Sequence, residues 1–112
     1  MTTAFADEVA RTRQIGHLSE MLLSRALGVN RSTVGAWLRR ERNPTGVRAD
    51  RVAELSAIVE RLAQVVEPEY IAVWLSKPIE ALGFEKPTDL IARGDYRRVA
   101  QLISELEVGA HS

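Results

Sequence analysis

Apolar residues recur every three or four positions along nearly the whole chain. No stretch alternates apolar with polar residues in the period-two manner of a half-buried strand. The pattern predicts an all-α fold. A first helix is expected over residues 4–15, with Phe5 and Val9 on one face, Ile15 near its end and Gly16 breaking it. Ser19 predicts the N-cap of a second helix ending at Leu27, because its hydroxyl accepts a bond from an orphan backbone N–H. Gly28 follows where a helix stop needs positive φ. Asn30 caps a third helix over residues 31–40, closed by Asn43-Pro44 because the residue before a proline resists the α region. The longest helix is expected over residues 47–66, where Val52, Leu55, Val59, Leu62 and Val66 form one stripe. Ile58, Val65 and Val66 are spare apolar residues on that helix and mark it as the expected seam of a homodimer.

Proline and glycine divide the last third into shorter pieces. A helix is expected over residues 68–76, with Ile71, Trp74 and Leu75, and a single turn over residues 78–82, stopped by Gly83. Another, over residues 87–93, has Pro87 in its first turn and Gly94 just past its end. Asp95 caps a final helix to about Glu107, with Tyr96, Val99, Leu102, Ile103 and Leu106 on one face. Gly109, Ala110, His111 and Ser112 read as a loose tail. Trp74, Leu75, Leu82, Leu90, Val99 and Leu102 are the expected core of this part.

The composition, 46% hydrophobic and 27% charged over 112 residues, is that of a soluble globular protein. Fifteen basic and fifteen acidic residues cancel, but not locally. Residues 1–51 hold nine arginines and five acids, whereas residues 52–112 hold six bases and ten acids. A basic half and an acidic half suggest two different partners. With no cysteine there is no disulfide, thiolate metal site or cysteine nucleophile. The longest apolar run, residues 70–75, falls far short of the roughly 20 residues that cross a bilayer. Residues 1–14 contain Asp7, Glu8, Arg11 and Arg13 and no apolar stretch of the secretory kind, so a cytoplasmic protein without a membrane partner is expected. His17 and His111 are the only histidines and lie far apart, and neither a GxGxxG, a P-loop nor a GxSxG motif occurs. No metal, no cofactor and no enzymatic activity are expected.

The segment from Ser19 to Leu38 has its own geometry. Leu23 and Leu27 lie one turn apart, small Ser24 admits a neighbour, Gly28 makes a tight turn and Val29 plugs it. Val34, Trp37 and Leu38 then turn inward at helical spacing, which predicts two short helices at a steep angle. The same spacing is expected to leave Asn30, Arg31, Ser32, Thr33, Gly35 and Ala36 facing outward, at the helix end that enters a major groove. Arg31 can bond guanine O6 and N7 together, Ser32 and Thr33 can bond bases or phosphate, and small Gly35 and Ala36 permit close approach. Arg39, Arg40 and Arg42 would meet phosphates and make binding salt-dependent. With Ser19, these are the candidate DNA-binding residues. The run Leu27-Gly28-Val29-Asn30-Arg31-Ser32-Thr33-Val34, then Trp37-Leu38 and Arg42-Asn43-Pro44, resembles the Xre/Cro-like repressor helix-turn-helix over residues 4–66. Glu20, where such repressors often carry a phosphate-binding Gln, and apolar Met21 and Leu22 depart from it; the apolar pair suggests an extra covered surface.

In the acidic part, Trp74-Leu75, Pro78, Leu82-Gly83, Pro87, Leu90-Ile91, Gly94-Asp95-Tyr96, Val99, Leu102 and Gly109 recur in an order that resembles the C-terminal toxin-binding domain of the Xre/MbcA/ParS antitoxin family. Phe84 departs, standing where many members have a second glycine. The resemblance implies a DNA-binding domain over residues 1–66 and a small helical toxin-binding module over residues 67–112. It implies an antitoxin that blocks a RES-domain toxin acting on NAD by degradation or ADP-ribose transfer, and that represses its own operon. An acidic module suits a basic cleft in such a partner. The candidate toxin-binding residues are Arg97, Arg98, Glu105, Val108, Gly109, Ala110, His111 and Ser112, with the end of the chain ordering on binding. The alternatives are a plain Xre-like regulator whose C-terminal module only dimerises, and an interaction protein with no DNA role.

Overall fold

A computed structural model describes residues 5–110. Its helices are α1 (Phe5–Gly16), α2 (Glu20–Leu27), α3 (Arg31–Leu38), α4 (Gly46–Leu62), α5 (Pro68–Ser76), α6 (Pro87–Ala92) and α7 (Tyr96–Ala110), with one 3-10 turn at Glu80–Leu82. Among the described residues the only β pairing is an isolated antiparallel bridge between Ile79 and Glu85. The fold is all-α.

Ser19 and Asn30 cap their helices where the sequence places them. Ser19 accepts a hydrogen bond from the Leu22 backbone N–H at 3.0 Å, and Asn30 accepts one from that of Thr33 at 2.9 Å. Gly28, at φ 69°, takes the left-handed conformation that ends α2. Helix ends differ from expectation for local reasons. α1 continues through Gly16, and His17, at φ 54°, carries the break. α3 stops at Leu38 because Arg40 turns left-handed at φ 60°. α4 stops at Leu62 because Val65 and Val66 both fold their N–H groups back to the Leu62 carbonyl before Pro68.

The expected loose tail is corrected at Gly109 and Ala110, which belong to α7. Arg61 of α4 clamps that helix by donating to both carboxylate oxygens of Glu107, at 2.8 and 3.0 Å. This pairing raises the guanidinium pKa through the hydrogen bond to Glu107.

One core runs through the molecule. Val9, Leu23, Leu27, Val34 and Trp37 join Val52, Leu55, Ile58, Val59 and Leu62, then Ile71, Leu75, Leu82, Leu90, Ile91, Val99 and Ile103. Residue 66 falls in the turn between α4 and α5, and packing crosses it: α6 lies along α2, and a Cβ on Gly28 would stand 3.5 Å from the Ala92 carbonyl oxygen. Trp74 and Leu102 pack at the edge of this core, half-buried. The expected homodimer seam on α4 is corrected. Ile58 is 1% exposed inside the core, and Val65 and Val66 are half-buried against it.

Candidate functional site

Two surfaces carry the chemistry that the sequence singles out. At the start of α3, Arg31 is exposed and forms no ion pair among the described residues. Ser32 is also exposed, but its hydroxyl donates to Asn30 Oδ1 at 2.8 Å. Thr33 donates its hydroxyl to the same oxygen at 2.9 Å and is only 8% exposed. The expectation that Thr33, Gly35 and Ala36 face outward is therefore corrected: all three are buried. Gly35 lies beneath a side chain of its own helix end, since a Cβ there would stand 3.0 Å from Arg39 Nη1. Ala36 is 6% exposed.

The arginines beyond α3 divide into two groups. Arg39 pairs with Glu41 at 2.9 Å, and Arg40 pairs with Asp7 at 2.7 Å. The hydrogen bond and charge of Arg39 hold the Glu41 carboxyl below the usual carboxylate range. Arg42 is exposed and forms no direct ion pair among the described residues, though its charge also helps to lower the Glu41 carboxyl, and it lines a polar depression of about 220 Å³ with Thr33, Trp37, Asn43, Pro44, Thr45 and Arg48. Arg48 was not singled out by sequence. Its signal was present: the first turn of α4 contains no acid, and Thr45 leaves the helix start without a side-chain cap. Ser19 is remote from this group in its surroundings, lining instead a groove with Met21, Leu22, Arg25, Ser76, Lys86 and Thr88.

The second surface follows the outer side of α7. Arg98, Gln101, Glu105 and Val108 fall on one helical stripe. Arg98 reaches Glu85 at 3.8 Å and Asp95 at 3.5 Å. Glu105 and Gln101 line a depression with Ala81, Leu82 and Arg98. Val108 is 70% exposed on the last turn of the helix, with Gly109 and Ala110 exposed beside it. Arg97 is exposed and forms no ion pair among the described residues. His111 and Ser112 lie outside the described residues.

Next to the stripe, the segment from Ile79 to Glu85 forms a tight loop that projects Phe84. The Phe84 N–H donates to the Ile79 carbonyl at 2.9 Å, while Arg93 grips the Glu85 carboxylate at 2.6 and 2.9 Å. The Arg93 hydrogen bonds hold that carboxyl below the usual range. Phe84 itself has φ 64° and is 68% exposed. A bulky residue held left-handed by its surroundings is strained, and strain of this kind gathers at functional loops. The departure from glycine at residue 84 was the sequence signal for it.

No protein-family profile matches the chain. The mycobacterial cidal antitoxin MbcA of Mycobacterium tuberculosis H37Rv and that of Mycobacterium bovis are each 31% identical over 77 residues, 69% of this chain and 68% of theirs. The chain belongs to the MbcA antitoxin family. A chain of the crystal structure of the M. tuberculosis MbcT–MbcA toxin–antitoxin complex matches with a TM-score of 0.83 at 25% identity, covering 96% of this chain and 97% of that one. The MbcA-type fold thus extends over both candidate surfaces, α3 with the start of α4 and α7 with the Phe84 loop. No helix among the described residues is long and apolar enough to cross a membrane.

Proposed function

We propose that the chain is the antitoxin of a toxin–antitoxin pair. It binds and blocks a RES-domain toxin that degrades NAD or transfers its ADP-ribose, and it represses its own operon as a pair of copies on DNA, acting in the cytoplasm. The reading rests above all on the near full-length match to a chain of a toxin–antitoxin complex, alongside relatives that are antitoxins. The RES-domain identity of the toxin is supported by the order of the Trp74-to-Gly109 motif.

The toxin meets the α7 stripe and the Phe84 loop. An exposed aromatic on a braced loop loses little freedom when it docks, the property of an interface anchor. DNA repression is supported by a separate observation: Arg31 and Arg48 have no carboxylate partner among the described residues and Arg42 only shares the charge of Glu41, while Arg39 and Arg40 are directly paired. These exposed guanidiniums around one helix pair suit phosphates.

Co-expression with the toxin of the adjoining reading frame tests the main reading. The wild-type chain is expected to restore growth, and a Phe84→Ala, Val108→Asp double variant to fail while remaining folded and soluble. Equal rescue by both chains would remove this surface from the mechanism. No rescue by the wild type would remove the antitoxin role for that toxin.

A further inference from the structure

We propose that Arg61 is a positioning residue for toxin binding: its two-pronged grip on Glu107 holds the last two turns of α7 in place before the toxin arrives. This rests on the reading above that the toxin meets the α7 stripe. It gives a part in binding to a residue that stands on another helix, outside that stripe.

The end of α7 draws little support from the core. The buried side chains of this helix are Val99 and Ile103, and no residue after Ile103 joins the core. Glu105, Leu106, Val108, Gly109 and Ala110 are all exposed. The last described turn carries no basic residue to offset the helix dipole. Gly109 lies within that turn and is a poor helix former. A helix end of this kind frays unless another element holds it. Yet Glu105 and Val108, two of the residues assigned to the toxin, stand here.

Arg61 supplies the hold from α4. Its Nε and Nη2 donate to the two carboxylate oxygens of Glu107 at 3.0 and 2.8 Å, and Nη2 also donates to Ser104 Oγ at 2.9 Å. A two-point arginine–carboxylate pair fixes orientation as well as distance. Both side chains are 33% exposed, so the pair is partly shielded from water. Arg51 of the same helix marks the other end of α7. A Cβ on Gly94 would stand 2.5 Å from Arg51 Nη2, so this guanidinium lies against the turn before α7. Roughly ten residues, or about 15 Å of helix, separate Arg51 from Arg61, and the same number separate Gly94 from Ser104. The final helix therefore runs along α4 in the same direction, seated near both ends. Glu107 and Glu105 stand two positions apart, on opposite sides of the helix. The grip thus comes from behind and leaves Glu105 and Val108 open to a partner. A segment ordered in advance loses less freedom when it docks.

Titration calorimetry of the full chain with the proposed RES-domain toxin, together with hydrogen exchange on the free chain, tests this role. Arg61→Ala and Glu107→Ala should each weaken binding at least about tenfold, and the double variant no further, because each removes the same hold. The charge swap Arg61→Glu, Glu107→Arg should recover much of the affinity, which it would not do if either residue touched the toxin directly. In free Arg61→Ala, the amides of residues 105–110 should exchange faster while those of Leu55 and Ile58 in the core keep their rates, whereas a general loss of stability would quicken both. A toxin that binds Arg61→Ala as tightly as wild type overturns the proposal and leaves the antitoxin reading standing. Lost affinity with unchanged exchange at residues 105–110 also overturns it and makes Arg61 a contact residue. A toxin that does not bind the wild type overturns the antitoxin reading for that toxin, and this role with it.

Discussion

Phe84 concentrates the difference between sequence and structure at the level of single residues. Its left-handed backbone costs an L-residue about 1–2 kcal/mol, and its exposed ring recovers little by packing. Phe84→Gly should therefore stabilise the chain by about 1 kcal/mol in urea unfolding, while weakening toxin binding. A variant that loses stability would show that the ring packs in a way its exposure does not reveal. Caps and helix stops at Ser19, Asn30, Gly28 and Gly83 were legible because each depends on one or two neighbours in the chain. Which arginines remain free was not legible. Arg40 finds Asp7, Arg25 finds Asp89 and Arg61 finds Glu107 across the fold, and no local pattern announces such pairs. The burial of Gly35 was equally hidden, because its cover is the flexible end of Arg39.

Helix existence was legible nearly throughout, since apolar spacing and proline–glycine punctuation are local. Helix ends were less so. The last helix runs on through Ala110 because Arg61 holds Glu107 from another element. The candidate DNA surface shifts for a related reason: the unpaired arginines lie where α3 begins and where α4 begins, at Arg31 and Arg48, while in the turn between them Arg39 and Arg40 are paired and Arg42 shares Glu41. In a gel shift on the chain's own promoter, Arg42→Ala and Arg48→Ala should each weaken binding to all sequences alike and lower the salt slope by about one. Arg39→Ala should change little, because its charge is already matched by Glu41. An Arg39→Ala effect larger than those at Arg42 and Arg48 would move the phosphate contacts to the C-terminal end of α3.

The whole molecule is less divided than its charge. The basic and acidic halves share one core, and Arg11–Glu60, Arg25–Asp89 and the contact of α6 along α2 tie them together. Sequence could suggest two partners from the charge split, but not that the split is partly neutralised across the fold. The two candidate surfaces consequently rest on one shared core. The most direct test of the proposed antitoxin role is NAD consumption by the proposed RES-domain toxin, purified and titrated with the purified chain. Consumption should fall in proportion to added chain and stop at a fixed ratio, with Phe84→Ala, Val108→Asp displaced to higher concentration. Undiminished consumption in the presence of excess chain would contradict the account.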